Sequence, residues 1–251
     1  MTTTIALITG ANKGIGRETA RQFGARGFTV LAGARNRERG LEAERELRLA
    51  GVDARFVRLD VTLDASVREA ADWIEREYGR LDILVNNAGI ARGNPASQTD
   101  LNTMREVYEV NVYGVIRVTN AMLPLLRRAP AARIVNVSSE VGSISSMTDP
   151  ASPLAQMPMA SLAYPSSKAA LNMITALYAK DLRATPIKIN AANPGYTKTD
   201  LNHNSGFRSA TEGAEASVYL ATLPADGPSG ILWGHLWSAD GPADAYGRLP
   251  W

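Results

Sequence analysis

The feature that most restricts the fold of this chain is its rhythm: short apolar stretches alternate with amphipathic ones from end to end. TIALIT (4–9), FTVLAGA (28–34), ARFVRLD (54–60), LDILVNNAG (81–89), ARIVNVSS (132–139), IKINAANPG (187–195) and a stretch near 231–237 read as strands. Helical patterns fill 14–27, 36–50, 64–79, 99–128, 164–184 and 211–222, with a bend expected near Pro124. Apolar strands, each followed by a helix, predict an α/β fold with a parallel sheet of about seven strands, covered by helices on both faces. The chain has 251 residues, of which 45% are hydrophobic and 21% charged, which suits a single domain spanning 1–251. The least patterned stretch is 140–163, with three prolines and three methionines, and it is expected to be a loop.

Several classes of function are disfavoured at once. There is no cysteine, and His203 and His235 are the sole histidines, which argues against disulfides, a thiolate nucleophile and a metal cluster. A net charge of +2 is too small to argue for nucleic acid, and the basic residues interleave with acids, as in RNRERGLEAERELR (35–48). MTTTIALITG carries neither a basic leader nor a signal-length apolar run, and no stretch is long enough to span a bilayer. The expectation is a soluble, cytoplasmic protein acting on a small molecule.

The first strand runs into TGANKGIG (9–16), which contains Gly10, Asn12, Lys13, Gly14, Ile15 and Gly16. A glycine triplet alone is weak support for a phosphate site. Between a strand and a helix it gains force, because the backbone can approach a diphosphate there and the helix N-terminus supplies N–H donors. These features predict a Rossmann-type, doubly wound domain. An acid about 20 residues further on would bind ribose hydroxyls, whereas an arginine suits a 2′-phosphate. The second strand ends at Ala34-Arg35, with no acid at that tip to compete, and Lys13 adds a second cation. Both could be ordinary surface charges; beside the expected adenosine end they point to NADP(H).

AYPSSKAAL (163–171) starts as a helix, with Pro165 where the first turn tolerates a missing N–H. Tyr164 and Lys168 then share one face. Such pairs are common on exposed helices, so a role for this one depends on its company. Ser139 ends the fifth strand, and Asn111 lies within the 99–128 helix.

TGANKGIG (9–16), LDVT (59–62), NNAG (86–89), VNVYG (110–114), NVSS (136–139), YPSSK (164–168) and NPGYTKT (193–199) occur in the order and spacing of one family. The chain resembles the short-chain dehydrogenases/reductases over nearly its whole length, and VLAGARNRERG and EGAEASVYLATLPADGPSG look most like the NADPH-dependent carbonyl-reductase branch. The resemblance implies that Asn111, Ser139, Tyr164 and Lys168 are catalytic. It implies that Asp60 and Val61 meet the adenine, that Asn87, Ala88 and Gly89 line the adenosine ribose, and that Thr197 and Thr199, after Pro194-Gly195, hold the carboxamide. It also implies that Tyr164 and Lys168 contact the cofactor. Ser139 and Tyr164 are 25 residues apart, longer than the common family spacing and shorter than in the monomeric animal carbonyl reductases. Family members pair through helices equivalent to 99–128 and 164–184. A homodimer or tetramer is therefore expected, or a monomer if 140–163 covers that surface.

The chemistry follows from the side chains. A free phenol has a pKa of about 10, and a neighbouring ammonium favours its ionised form. Tyr164 would exchange a proton with the oxygen of a carbonyl or secondary alcohol while hydride moves to or from carbon. Ser139 would polarise that oxygen, Lys168 would bind ribose, and Asn111 would support a proton relay. The alternative is a catalytically silent NADP(H)-binding sensor or scaffold, but such proteins usually lack the tyrosine or lysine. A dehalogenating relative would lack the glycine loop, and no hydrolase nucleophile motif is present. Substrate is expected against 140–163 and the segment 200–251, where Met147, Leu154, Met157, Met159, Phe207, Trp233, Trp237 and Trp251 suggest an apolar ketone or aldehyde.

Overall fold

The computed structural model describes residues 3–158, 161–236 and 245–251. Eight strands form one sheet: β1 (Ile5–Thr9), β2 (Thr29–Ala34), β3 (Ala54–Arg58), β4 (Ile83–Asn86), β5 (Arg133–Val137), β6 (Lys188–Asn193), β7 (Leu232–His235) and β8 (Tyr246–Leu249). Their order is β3-β2-β1-β4-β5-β6-β7-β8. The pairings from β3 to β7 are parallel, and β8 lies antiparallel on β7, with Leu232 opposite Leu249. β1, β2, β4 and β5 are buried along their whole length, as expected of strands covered on both faces. The edge strand β3 is partly exposed, and its charged Arg55 and Arg58 blunt that edge.

The helices are α1 (Gly14–Gly24), α2 (Arg37–Leu49), α3 (Asp64–Tyr78), α4 (Leu101–Tyr108), α5 (Gly114–Leu126), α6 (Ile144–Thr148), α7 (Pro153–Gln156), α8 (Ala163–Asp181) and α9 (Ala210–Ala221). One face of the sheet packs Leu7, Leu84 and Ile134 against Ile74 of α3 and Val118, Met122 and Leu126 of α5. The other packs Ile8, Val85 and Val135 against Ala20 and Phe23 of α1, Leu47 of α2 and Leu220 of α9. The chain winds outward on both sides of β1 and β4. Their C-terminal ends, carrying TGANKGIG and NNAG, therefore flank the crevice where open α/β sheets bind ligands.

Three local features differ from the sequence-based expectation. The 99–128 helix changes its hydrogen bonding at Glu109–Tyr113, a single π turn, whereas Pro124 sits in the last turn of α5. The extra residue of a π turn re-aims the side chains on it, and Asn111 is at its centre. Segment 140–163 is not simply irregular. Ser143 and Ser152 cap α6 and α7 by accepting from the N–H groups of Ser146 and Leu154, and Pro153 occupies a first turn that needs no N–H.

β8 was not anticipated. It is held by its pairing with β7 and by Tyr246, whose hydroxyl bonds both the buried Arg208 guanidinium and Glu215 of α9. Trp233 stacks between Tyr219 of α9 and Tyr246, so its surface is used in packing that helix. Trp251 packs with the cluster of Ala191, Leu232 and Leu249, and its carbonyl accepts from both the N–H and the hydroxyl of Ser145. Met159 and Trp237 lie outside the described residues.

Candidate active site

The glycine loop and the turn after β4 are joined by Thr9 and Asn87. The Thr9 hydroxyl oxygen accepts from the N–H groups of Asn87 and Ala88, each at 2.9 Å. The Asn87 amide returns bonds to the carbonyls of Thr9 (2.8 Å) and Gly10 (3.2 Å). Gly10 has φ +65°, and a Cβ there would sit 3.0 Å from Ala88 Cα; at Gly16 it would sit 2.4 Å from the Asn87 amide nitrogen. Only a bare backbone fits at these two turns. Beyond them α1 starts at Gly14 with no side-chain cap from Lys13 and no acid in its first turn, so its leading N–H groups are available to a phosphate. Ile15 is in that turn, and its carbonyl accepts from Thr19.

Around this loop the other expected cofactor residues take distinct places. Asp60 folds back on its own turn, accepting from the Thr62 N–H (3.0 Å) and hydroxyl (2.7 Å). Val61 is buried, and its carbonyl accepts from Arg117. Arg35 is exposed at the tip of β2 and forms no hydrogen bond or ion pair among the described residues. Lys13 is paired: its ammonium meets the Asp200 carboxylate at 2.7 Å. An acid does compete at this corner, but it arrives from 187 residues downstream. Pro194 is buried and Gly195 turns the chain at φ +73°. Thr197 is buried, donates to the carbonyls of Pro194 and Gly195, and packs where Gly213 of α9 leaves no room for a Cβ. Thr199, by contrast, faces the glycine loop, its methyl carbon 3.5 Å from where a Gly14 Cβ would be.

The second group converges at the ends of β4 and β5. Of the serine pair, Ser138 is buried and donates to Asn172 at 2.6 Å, whereas the half-buried Ser139 hydroxyl accepts from the Val141 N–H at 3.4 Å and favours the ionised form of the Tyr164 phenol. The Lys168 ammonium lies over the Tyr164 ring, 5.5 Å from its centre, and donates to the Val137 carbonyl at 2.7 Å. Asn111 holds both backbone groups of Ile90: its oxygen accepts from the N–H and its amide donates to the carbonyl, each at 2.9 Å. The same amide reaches Ser167 at 3.0 Å. Gly89 passes beside them, where a Cβ would sit 3.4 Å from the Asn111 oxygen and 3.9 Å from the Lys168 ammonium. Asn111, Ser139, Tyr164 and Lys168 are thus brought together from three places: the π turn, the end of β5 and the start of α8.

Burial sets the electrostatics. It pushes the Tyr164 phenol up to about 12, opposed by the Ser139 hydrogen bond. It holds the Lys168 ammonium down to about 8. The cation was expected to lower the phenol's pKa; in the protein alone desolvation dominates both groups, and the ammonium is engaged by a main-chain carbonyl. At neutral pH the site therefore holds a protonated phenol beside a serine hydroxyl and an ammonium. That arrangement can donate protons to a carbonyl oxygen.

The start of α8 is pinned from an unforeseen quarter. The Ser161 oxygen accepts from the Tyr164 N–H at 3.2 Å, and its hydroxyl donates to the Arg92 carbonyl at 2.8 Å. Leu162 N–H donates to the Asn94 carbonyl at 3.0 Å. Gly93 between them has φ +130°, and a Cβ there would lie 2.5 Å from the Ser161 oxygen.

The profile of the short chain dehydrogenases matches residues 4–208. The chain belongs to that family. It is 36% identical to short-chain dehydrogenase/reductase 1 of Saponaria officinalis, with 91% of this chain and 93% of that protein covered. It is 35% identical to carbonyl reductase [NADPH] 1 of Rattus norvegicus, with 90% and 94% covered. Among solved structures, NADPH-bound carbonyl reductase from chicken fatty liver superposes with a TM-score of 0.82 at 30% identity, over 93% of this chain and 97% of that one. The membership agrees with the resemblance read from the seven motifs.

Thr9, Ser161 and Ser167 join the site without standing out in the sequence. Thr9 and Ser167 lie inside the quoted motifs TGANKGIG and YPSSK, where a hydroxyl at a strand end or on a helix turn can brace its neighbours. Asn86, next to the assigned NNAG residues, is buried in a side-chain chain that links Thr119, Asn86, Asn136 and Thr175 across the sheet.

Proposed function

We propose that this short-chain dehydrogenase is an NADP(H)-dependent carbonyl reductase, transferring hydride between the nicotinamide and an apolar ketone, aldehyde or secondary alcohol. One observation carries the reading: a phenol kept protonated by burial has the Lys168 ammonium over its ring, with Ser139 and Asn111 at the same end of β4 and β5. NADP(H) fits the residues present, through the close turns at Gly10 and Gly16, the uncapped start of α1 and the exposed guanidinium of Arg35. When bound, it supplies the hydride. Tyr164 gives its proton to the carbonyl oxygen, and Ser139 donates to the same oxygen and orients it. Lys168 supplies charge beside the phenol and a donor for ribose, and Asn111 braces the turn after β4 for the proton relay. Gly14 and Gly16 of the loop seat the diphosphate, with Asn87, Ala88 and Gly89 bordering the ribose, Asp60 and Val61 the adenine, and Thr199 the carboxamide.

The half-buried Met147, the buried Leu154 and the exposed Met157, all in segment 140–163, support an apolar substrate. Exposed Tyr113, Met173 and Leu177 on the π turn and α8 support pairing of two copies through those helices. No described helix is long and apolar enough to cross a membrane. The test is loss of NADPH absorbance with a panel of aliphatic and aromatic ketones. Tight NADPH binding without turnover of any carbonyl would favour the sensor reading.

A further inference from the structure

The pair that closes the corner of the glycine loop has a use of its own. Lys13 lies between the first strand and α1, and Asp200 opens the 3-10 turn Asp200–Asn202 after β6. These two segments border the cleft from opposite sides. They meet at the Lys13–Asp200 contact of 2.7 Å and again where Thr199 faces Gly14. We propose that Asp200 is a specificity-determining residue: its carboxylate occupies Lys13 in the free protein and is displaced by the 2′-phosphate of the cofactor. The inference rests on the NADP(H) reading above.

Asp200 is built into place. Thr199 and Asn202 form a reciprocal cap around it, with the Thr199 N–H donating to the Asn202 side chain at 3.2 Å, and the Asn202 amide donates to the Thr197 carbonyl at 2.9 Å. The carboxylate is therefore presented to the loop by a braced turn. The neighbouring cation Arg17 already has a partner, since it bonds Glu46 at 2.6 Å. Arg39, on the same recess, faces the field of Asp200.

The pair is also weak enough to exchange. The Lys13 and Asp200 side chains are 56% and 63% exposed, and ion pairs of that kind contribute little and are screened by salt. A phosphate carrying close to two charges forms stronger charge-assisted bonds and can recruit Arg35 at the same time. A cofactor with a plain 2′-hydroxyl offers nothing to compete with Asp200, so the bridge stays closed and does not alter its binding. Lys13 thus reports the phosphate, and Asp200 sets the threshold.

Calorimetric titration with 2′,5′-ADP and with 5′-AMP tests this without turnover. Asp200→Asn is expected to tighten 2′,5′-ADP roughly two- to fivefold at low salt and to leave 5′-AMP unchanged. Asp200→Glu should behave as wild type. In Lys13→Met, which weakens 2′,5′-ADP, adding Asp200→Asn should have no effect. Unchanged 2′,5′-ADP affinity in Asp200→Asn, equal tightening of 5′-AMP, or an Asp200 effect that survives Lys13→Met would each overturn the inference. If wild type fails to distinguish 2′,5′-ADP from 5′-AMP, the NADP(H) reading falls first, and the inference with it.

Discussion

The Lys168 ammonium donates to the main-chain carbonyl of Val137 at 2.7 Å and forms no ion pair among the described residues. It is only 5% exposed. A buried cation met by a carbonyl dipole and a ring face, with no counter-charge, is a cost to the fold, and such costs cluster at functional sites.

That cost is measurable. Burial holds the Lys168 pKa down to about 8, against 10.5 for a free lysine. Between those values the unfolded chain binds more protons than the folded one, so stability rises with pH over that window, and the full cost applies below about 8. Lys168→Met is expected to raise the unfolding free energy at pH 7 by on the order of 1–3 kcal/mol while abolishing turnover. The gain should shrink as pH approaches 10. Urea denaturation at pH 7 and pH 10 checks it, and a Met variant less stable than wild type at pH 7 contradicts the assignment.

Tyr164→Phe keeps the ring and removes the proton donor. Turnover should fall about 100-fold or more, with the Kd for NADPH nearly unchanged. Steady-state kinetics with fluorescence titration of NADPH decides the point; near-normal kcat would exclude Tyr164 as the acid. Because its pKa is held at about 12, the phenol of the wild type stays protonated throughout the neutral range.

Arg35→Ala should raise KM for NADPH about tenfold or more, as loss of a charged phosphate contact would, and leave KM for NADH alone. Arg35 is exposed and holds no other group among the described residues, so a structural side effect is not expected. Equal use of NADPH and NADH by the wild type would refute the assignment.

Gly93→Ala forces a Cβ towards the Ser161 oxygen and strains a backbone at φ +130°. The Ser161 hydroxyl must then leave its place, and with it the bonds that tie the Tyr164 N–H to the Arg92 carbonyl. A loss of kcat of about tenfold, with NADPH affinity intact and about 1–2 kcal/mol less stability, is expected. Ser161→Ala should share the kcat loss and Ser161→Thr should restore part of it. If both affect NADPH binding instead of kcat, the clamp acts elsewhere.

The strand and helix order was legible because the central strands bury both faces and so read as continuous apolar runs; IALIT and ILVN carry that signal plainly. YGRL, at β8, does not. Only Leu249 of the four is buried, and the strand depends on Arg208 and Glu215, more than 30 residues earlier. α6 and α7 rest on single serine caps, which pattern reading misses in a stretch containing three prolines. In the site, spacing identified Tyr164 and Lys168, but the direction of their pKa shifts depends on how deeply they are enclosed. The partner of Lys13 could not be read at all, since sequence distance says nothing about which loops meet above a crevice.

Lys168 and Asn111 have a common property: each is fixed by main-chain atoms, those of Val137 and Ile90. A carbonyl oxygen is present whatever codon stands at its position. Replacing the side chain at 90 or 137 therefore leaves both anchors intact, provided the strand and turn keep their path. If these residues act as proposed, their placement is in this way insulated from genetic drift in their surroundings, and the neighbouring walls can change side chains without moving them.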